Sequence, residues 1–238
     1  MIHLKLFRYI SLAEFVEITV CQRLRLKHPD VWPDKYEGYF HKALMQEVGR
    51  KSFEHALVER GISTSAFQKI SEIISLYVNH TYCTCCSGAC DSVLMWSAYN
   101  YENRTIMLEF DEDQLRSLDD SIQLVPVKYD LENFGIGGYA AYIESISDTA
   151  GLTSPAELLS HKRACFSYEN EVRIMSSDFT CTGGTKVLSI PNLNALITKV
   201  LVHPLADETY IDLISDICNL KKIQFAGKST VYSFNAIF

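Results

Sequence analysis

The chain has 238 residues, with 22 Lys+Arg against 29 Asp+Glu and a formal net charge of −7 at pH 7. At 47% hydrophobic and 21% charged residues it is globular in composition and long enough to bury a sizeable core, which excludes a disordered chain. No apolar run approaches the ~18 residues that span a bilayer, and net acidity argues against bulk binding to duplex phosphate while leaving room for a local basic groove.

Met1 to Ile10 reads as a strand rather than as a secretory signal, which needs a basic flank, an apolar block and a small-residue cleavage site. Within it Leu4–Tyr9 alternates apolar and polar residues, as a half-buried strand does. Without an export signal the 8 Cys read as reduced thiols and the protein as cytoplasmic. Ser11 caps a helix running to about Val20, with Glu14 completing a capping box. Leu24–Lys27 (LRLK) alternates again as a short strand, and Pro29 and Pro33 force a loop over His28–Lys35.

Tyr39 to about Arg60 is amphipathic and helical, with Phe40, Leu44, Val48, Phe53 and Leu57 on one face; Gly61 stops it. Ser63–Ser65 restarts a helix through Phe67, Ile70, Ile73 and Ile74. Leu76–Cys85 reads as a strand rich in Tyr, Val, Thr and Cys. Asp91 or Ser92 caps a short helix carrying Met95, Trp96 and Tyr99. Thr105–Phe110 and Gln123–Tyr129 read as strands. Phe134–Gly138 (FGIGG) reads as a glycine-rich turn before a helix over Tyr139–Ser147, and Pro155–Ser160 starts another helix toward Ala164. Strands follow at Glu171–Met175, Lys186–Ile190 and Ile197–Val202, then a helix over Asp207–Cys218 and a closing strand at Thr230–Phe234. With no repeat or linker, the expectation is one α+β domain over 1–238, a mixed sheet carrying a helical insertion at 38–76.

Four cysteines, Cys83, Cys85, Cys86 and Cys90, are numerous enough for zinc but poorly spaced for two ligand pairs; neighbouring Cys85 and Cys86 point to opposite faces of a strand. Buried apolar thiols are the plainer reading. FGIGG lacks the Lys-Ser/Thr of a phosphate loop, and the histidines show no metal spacing. In Ser167–Met175 (SYENEVRIM), Glu169 and Glu171 are two apart at the start of a strand and so share a face. Such a pair can orient a sugar hydroxyl and stabilise an oxocarbenium-like centre; otherwise it is an exposed strand end paired with Arg173 or Lys162. Arg8 and Tyr9 form a second constellation. A buried Arg needs a partner, either a ligand phosphate or carboxylate or a structural acid such as Glu37, Glu109 or Glu171. Met95, Trp96 and Tyr99 are either core or a ring-stacking group.

Taken together these segments resemble a bacterial and phage family whose function is unassigned. The opening strand and following residues (Leu6–Ser11, Leu24–Pro29, WPDKYE at Trp32–Glu37) match its start. Cys85, Met95-Trp96, Tyr99 and Ile106–Phe110 match its middle. Val127 and Tyr129, then Lys162, Tyr168, Glu169, Glu171, Arg173 and Ile174, match its end. Lys35 replaces the usual Pro and Val172 the usual Trp. A first-strand Arg, a helix, a short strand and a late ExE are also similar to the order seen in ADP-ribosyltransferases. That similarity implies an ADP-ribosyltransferase-like fold with NAD as substrate. Arg8 would hold NAD with Tyr9 beside it, Trp96 or Tyr99 would stack on nicotinamide, Glu171 would be the catalytic carboxylate, and Glu169 would orient the acceptor. No metal is required. The Ser-Thr-Ser strand expected before the ExE is missing.

The leading expectation is therefore an NAD-consuming ADP-ribosyltransferase or NAD glycohydrolase, a toxin or phage-defence effector with a nucleic-acid or protein acceptor and no membrane partner. One alternative is a non-catalytic binding module in which Arg23, Arg25, Lys27 and His28, with Trp32 and Tyr36, track a single strand. A second is a metal-dependent nuclease using Asp34, Glu37 and Glu109.

Overall fold

The computed structural model describes residues 5–32, 34, 36–38, 42–43, 46–147, 155–181 and 183–233, with backbone alone at 145–147 and 155. The expectations for Met1–Leu4, Pro33, Lys35, Tyr39–His41, Leu44 and Phe234 lie outside these residues. The strands are β1 (Leu6–Ile10), β2 (Arg23–Lys27), β3 (Thr81–Ser87), β4 (Ile106–Phe110), β5 (Gln123–Pro126), β6 (Glu171–Ser177), β7 (Thr185–Ser189), β8 (Ile197–Val202) and β9 (Phe225–Lys228). The helices are α1 (Leu12–Thr19), α2 (Glu47–Val58), α3 (Thr64–Asn79), α4 (Val93–Ala98), α5 (Glu112–Arg116), α6 (Leu131–Ser147), α7 (Leu193–Leu196) and α8 (Glu208–Lys221). The architecture is α+β, built on one mixed sheet in the order β5-β6-β3-β1-β4-β8-β9, with β2 joining β3 to β7 off that path.

Local chemistry explains several elements. The Ser11 hydroxyl accepts the Glu14 N–H at 3.3 Å and starts α1. Gly61, at φ +83, ends the turn after α2, and Ser63 caps α3 through the Ala66 N–H at 3.2 Å. β2 alternates as its sequence requires: Leu24 and Leu26 are buried, while Arg23, Arg25 and Lys27 are exposed.

β1 differs from a half-buried strand. Leu6 and Ile10 join Phe15 and Ile18 of α1 in one core, while Phe7 and Tyr9 pack with Met95, Trp96, Met107 and Leu201 on the other face. Arg8 alone is less than fully buried. A second core packs α2, α3 and α6 against Cys83 and Met175 of the sheet, through Phe53, Leu57, Phe67, Ile74, Val78, Tyr139 and Ile143.

Four expectations are corrected. Leu76–Asn79 is helical, because Ile74 and Val78 bury along the stripe begun by Phe67; packing overrides strand propensity there. FGIGG does break the helix, at Gly135 (φ +46, ψ −161), but a helical segment already precedes it and helix resumes before Tyr139, so it is a kink within α6 and not the turn that opens it. In place of one helix over Pro155–Ala164 there are two short 3-10 helices, Pro155–Glu157 and Ala164–Glu169. Among the described residues the last strand is β9, parallel to β8, and Thr230–Ser233 is a turn. Among the described residues no helix is long and apolar enough to cross a membrane.

Candidate functional site

The sheet splits at β3. β6 runs antiparallel to its whole length, from Thr81↔Ser177 to Ser87↔Glu171, and so occupies one edge. The other edge is shared: β1 meets it at Phe7↔Ser87 and β2 at Lys27↔Cys83. Between those two bridges the strands part, leaving a cavity of about 590 Å³ lined by β1, α1, β2, β3 and the segment leading into β6.

Arg8 sits in this fork. Its Nη1 donates to the Cys85 carbonyl of β3, and its Nε and Nη2 donate to Glu14 Oε1 at 2.9 and 2.5 Å. The guanidinium thus bonds to a carbonyl where strand pairing has stopped, and Glu14 compensates its buried charge. Burial alone would lower its pKa; Glu14 more than offsets this and raises it. The structural acid for Arg8 is therefore Glu14, not Glu37, Glu109 or Glu171. The Glu14 side chain, expected to close a capping box, turns to Arg8.

Glu171 opens β6. Its N–H donates to the Tyr129 hydroxyl at 2.6 Å, and its carboxylate takes Lys162 Nζ at 2.7 Å and Arg173 Nε at 2.7 Å. It is 4% exposed, so the ion pairs are interior and not those of a solvated strand end. Burial pushes this carboxyl up, but Arg173 and Lys162 together hold it down to about 2. Glu169 is not on the strand. It ends the 3-10 helix Ala164–Glu169, and Asn170, left-handed at φ +41, makes the turn into β6. Gly88 donates its N–H to the Asn170 carbonyl at 2.7 Å, and a Cβ at Gly88 would meet the Asn170 side chain at 2.5 Å. The two carboxylates nevertheless meet at one atom: Lys162 Nζ is 2.5 Å from Glu169 Oε2. Burial raises the Glu169 carboxyl above its ordinary value despite Lys162.

Glu37 joins from the loop after Trp32, at 3.0 Å from Lys162 Nζ and 3.3 Å from Arg173 Nη2. Arg173 also donates to the Leu159 carbonyl and lies 4.5 Å from the Trp32 ring centroid. Three carboxylates thus surround two cations, with one negative charge in excess while all are ionised.

Of the residues singled out in the sequence, Arg8, Tyr9, Tyr99, Glu169 and Glu171 line the cavity. Tyr9 is held by its hydroxyl, which donates to the Ala89 carbonyl and accepts the Ser92 N–H, and it stacks on Tyr99 at 6.4 Å. Trp96 does not line it. Its ring is wholly buried, its indole N–H donates to Asp91 at 2.7 Å, and it packs edge-on to Tyr9 and His203. Trp96 is therefore core, because α4 turns its apolar face to the sheet. The indole at the cavity is Trp32. WPDKYE contained both Trp32 and Glu37, but Trp32 was expected to stack on a nucleic-acid strand and Glu37 to pair with Arg8 or serve a nuclease metal, not to meet at this cluster. Nothing local marked Glu14 as the partner of Arg8.

Among the described residues no group of three or more His, Cys, Asp or Glu is placed to hold a metal ion. Cys83 and Cys86 are buried, Cys90 is exposed, and all eight cysteines are free. The acids of the nuclease reading are dispersed: Asp34 pairs with Arg163, Glu37 with Lys162 and Glu109 with Lys5. Within the three-glutamate cluster the cation is the Lys162 ammonium.

The fold and site thus define an α+β protein with a charged cavity at a split in its sheet. No protein-family model matches the chain and no curated protein matches it, so the resemblance to the bacterial and phage family stands on its short motifs. Among solved structures, DarT of Thermus sp. 2.9 in complex with NAD+ is similar over 96% of this chain and 96% of its own, with 10% identity and a TM-score of 0.38. DarT of the same source in complex with ADP-ribosylated ssDNA is similar over 93% and 92%, with 9% identity and a TM-score of 0.39. At these TM-scores the likeness is too slight to assign chemistry, which falls to the side chains at the split.

Proposed function

We propose that this chain consumes NAD, breaking the bond between nicotinamide and ribose and passing ADP-ribose to an acceptor or to water. The observation that carries the reading is Glu171: an ionised, doubly paired carboxylate at the wall of a cavity large enough for a small-molecule ligand, with Tyr99 and Trp32 as ring surfaces. As the C–N bond breaks, its electron pair passes to the nicotinamide ring, which leaves neutral, and positive charge grows on the ribose. A fixed carboxylate in a water-poor site stabilises that charge without reorganising. The acceptor X–H forms the new bond to ribose and loses its proton, for which Glu169 is the neighbouring base. Arg8, paired with Glu14, lies on the wall that would face the phosphates. A toxin or defence role would follow from NAD loss in the cell.

The basic face of β2 supports a nucleic-acid acceptor. Arg23, Arg25 and Lys27 line the same cavity, and only Arg25 among them has a carboxylate partner, Glu17, among the described residues. Alternate strand residues lie roughly 7 Å apart, comparable to an extended phosphodiester repeat. A non-catalytic reading would rest on this face alone.

The test is nicotinamide release from NAD, followed by chromatography, alone and with single-stranded DNA, RNA or cell lysate. Release is expected, with Glu171→Gln lowering it about a hundred- to a thousandfold while leaving the fold intact. Salt-sensitive stimulation by oligonucleotide would support the β2 face as acceptor site. Absence of release under every condition overturns the NAD reading, and oligonucleotide binding without release favours the binding module.

A further inference from the structure

Lys162 is the residue through which the two cavity carboxylates are coupled. Its ammonium has three donors and three carboxylate neighbours: Glu169 at 2.5 Å, Glu171 at 2.7 Å and Glu37 at 3.0 Å. Its side chain is 8% exposed, and the Phe166 ring lies 4.8 Å from the nitrogen. The contacts are unequal in a way that matters. Glu171 has two cations, Lys162 and Arg173; Glu169 has Lys162 and the repulsion of Glu171. Among the described residues the other groups facing the cluster are the thiols of Cys83, Cys85 and Cys86 on β3 and the hydroxyls of Tyr99, Tyr129 and Tyr168. Cys85, Tyr99 and Tyr129 are all held above their ordinary values and so stay neutral near pH 7. A compact ammonium suits this place, since a planar guanidinium sends its donors out in one plane and not toward three separate acids.

We propose that Lys162 is a positioning residue that sets the geometry of the carboxylate pair and, together with Arg173, assigns the standing negative charge to Glu171, leaving Glu169 to exchange a proton. In its catalytic consequence the proposal rests on the NAD reading above; in its electrostatic content it does not. The opposite directions in which the two carboxyls depart from their ordinary value agree with it. Glu37 is then the third anchor, drawing the ammonium to one place between the two acids.

Two measurements decide it, both on the full chain. In the first, side-chain carboxyl signals of labelled glutamate are titrated by NMR and assigned with Glu169→Gln and Glu171→Gln. The double variant Lys162→Met/Glu37→Gln removes one cation and one carboxylate together. The Glu171 midpoint should rise by about one pH unit or more in that variant. An unchanged midpoint means that Arg173 alone holds Glu171 and overturns the proposal. Should the variant not fold, the unsubstituted protein still answers: a ¹⁵N-labelled Lys162 ammonium with slow proton exchange is expected, and a fast-exchanging one overturns the three-way contact. In the second, Lys162→Arg keeps the charge and loses the geometry. Its kcat for nicotinamide release should fall about ten- to a hundredfold with KM for NAD within about twofold. A raised KM at unchanged kcat would make Lys162 a substrate contact and overturn the positioning role. If the wild type releases no nicotinamide, the NAD reading fails while the titration still decides the charge assignment.

Discussion

Two lysine-centred clusters stand at the two ends of β6, and they use the same chemistry to different ends. At the C-terminal end Lys186 donates to Asp119 at 2.8 Å and to the Ser176 hydroxyl at 2.7 Å, with Asp178 3.8 Å away. At the N-terminal end Lys162 meets Glu37, Glu169 and Glu171. One carboxyl in each cluster is held down to about 2. The reasons differ. At Asp119 burial raises the carboxyl, and hydrogen bonds from Lys186 and from Ser121, whose own hydroxyl and N–H both turn to it, overcome that. At Glu171 the burial penalty is large, and it takes the full charges of Arg173 and Lys162 to overcome it. Equal titration therefore does not mean equal energy: the acids of the Lys186 cluster stay a quarter exposed and solvent-screened, whereas Glu171 is nearly enclosed at a cavity wall. The surface cluster ties loops together; the interior one is placed to act on a ligand.

The comparison breaks or sharpens at three points. The largest effect is expected at Arg173. Arg173→Met keeps volume but leaves Glu171 and Glu37 short of a cation, and should cost about 3–5 kcal/mol in urea unfolding. A loss under about 1 kcal/mol would make the interior cluster no tighter than a surface one. Next is acid. Glu171 is lowered from an ordinary value of 4.5, so its contribution is fully present above that pH and is lost as pH falls toward 2. Glu169, raised, acts in the opposite sense and begins to gain protons first. Stability should hold or rise slightly down to about pH 5, then lose about 3 kcal/mol on Glu171's account by pH 2. Glu171→Gln should flatten that fall; an unaltered profile would mean other carboxylates dominate it. The smallest effect is Asp119→Asn, under about 1 kcal/mol at neutral pH by thermal or urea unfolding. A larger cost would place the Lys186 cluster in the same class as the interior one.

Much of the frame could be read from local pattern. The capped helix after Ser11, the alternating β2, the stop at Gly61 and restart at Ser63, and the strands β4, β6, β7 and β8 all follow from short-range periodicity and turn chemistry. The same is true of the residue types at the site, since YENEVR already contained both cavity glutamates and Arg173. Where the expectation differs, Leu76–Asn79 stays in its helix because packing outweighs propensity, and the last described strand, β9, starts five residues before the stretch expected to make it.

By itself, then, the sequence determined which segments are strands or helices wherever one face repeats, and which side chains bear charge. It did not determine their partners. Arg8 finds Glu14 and a β3 carbonyl, Lys162 gathers Glu37 from a distant loop, and Trp32 takes the place at the cavity that Trp96 was expected to hold. Apart from Arg8–Glu14, six residues apart, these contacts join distant parts of the chain, which no local period encodes. Desolvation makes each such pairing obligatory once the split forms, because a charge closed off from water must find its counterpart inside the fold.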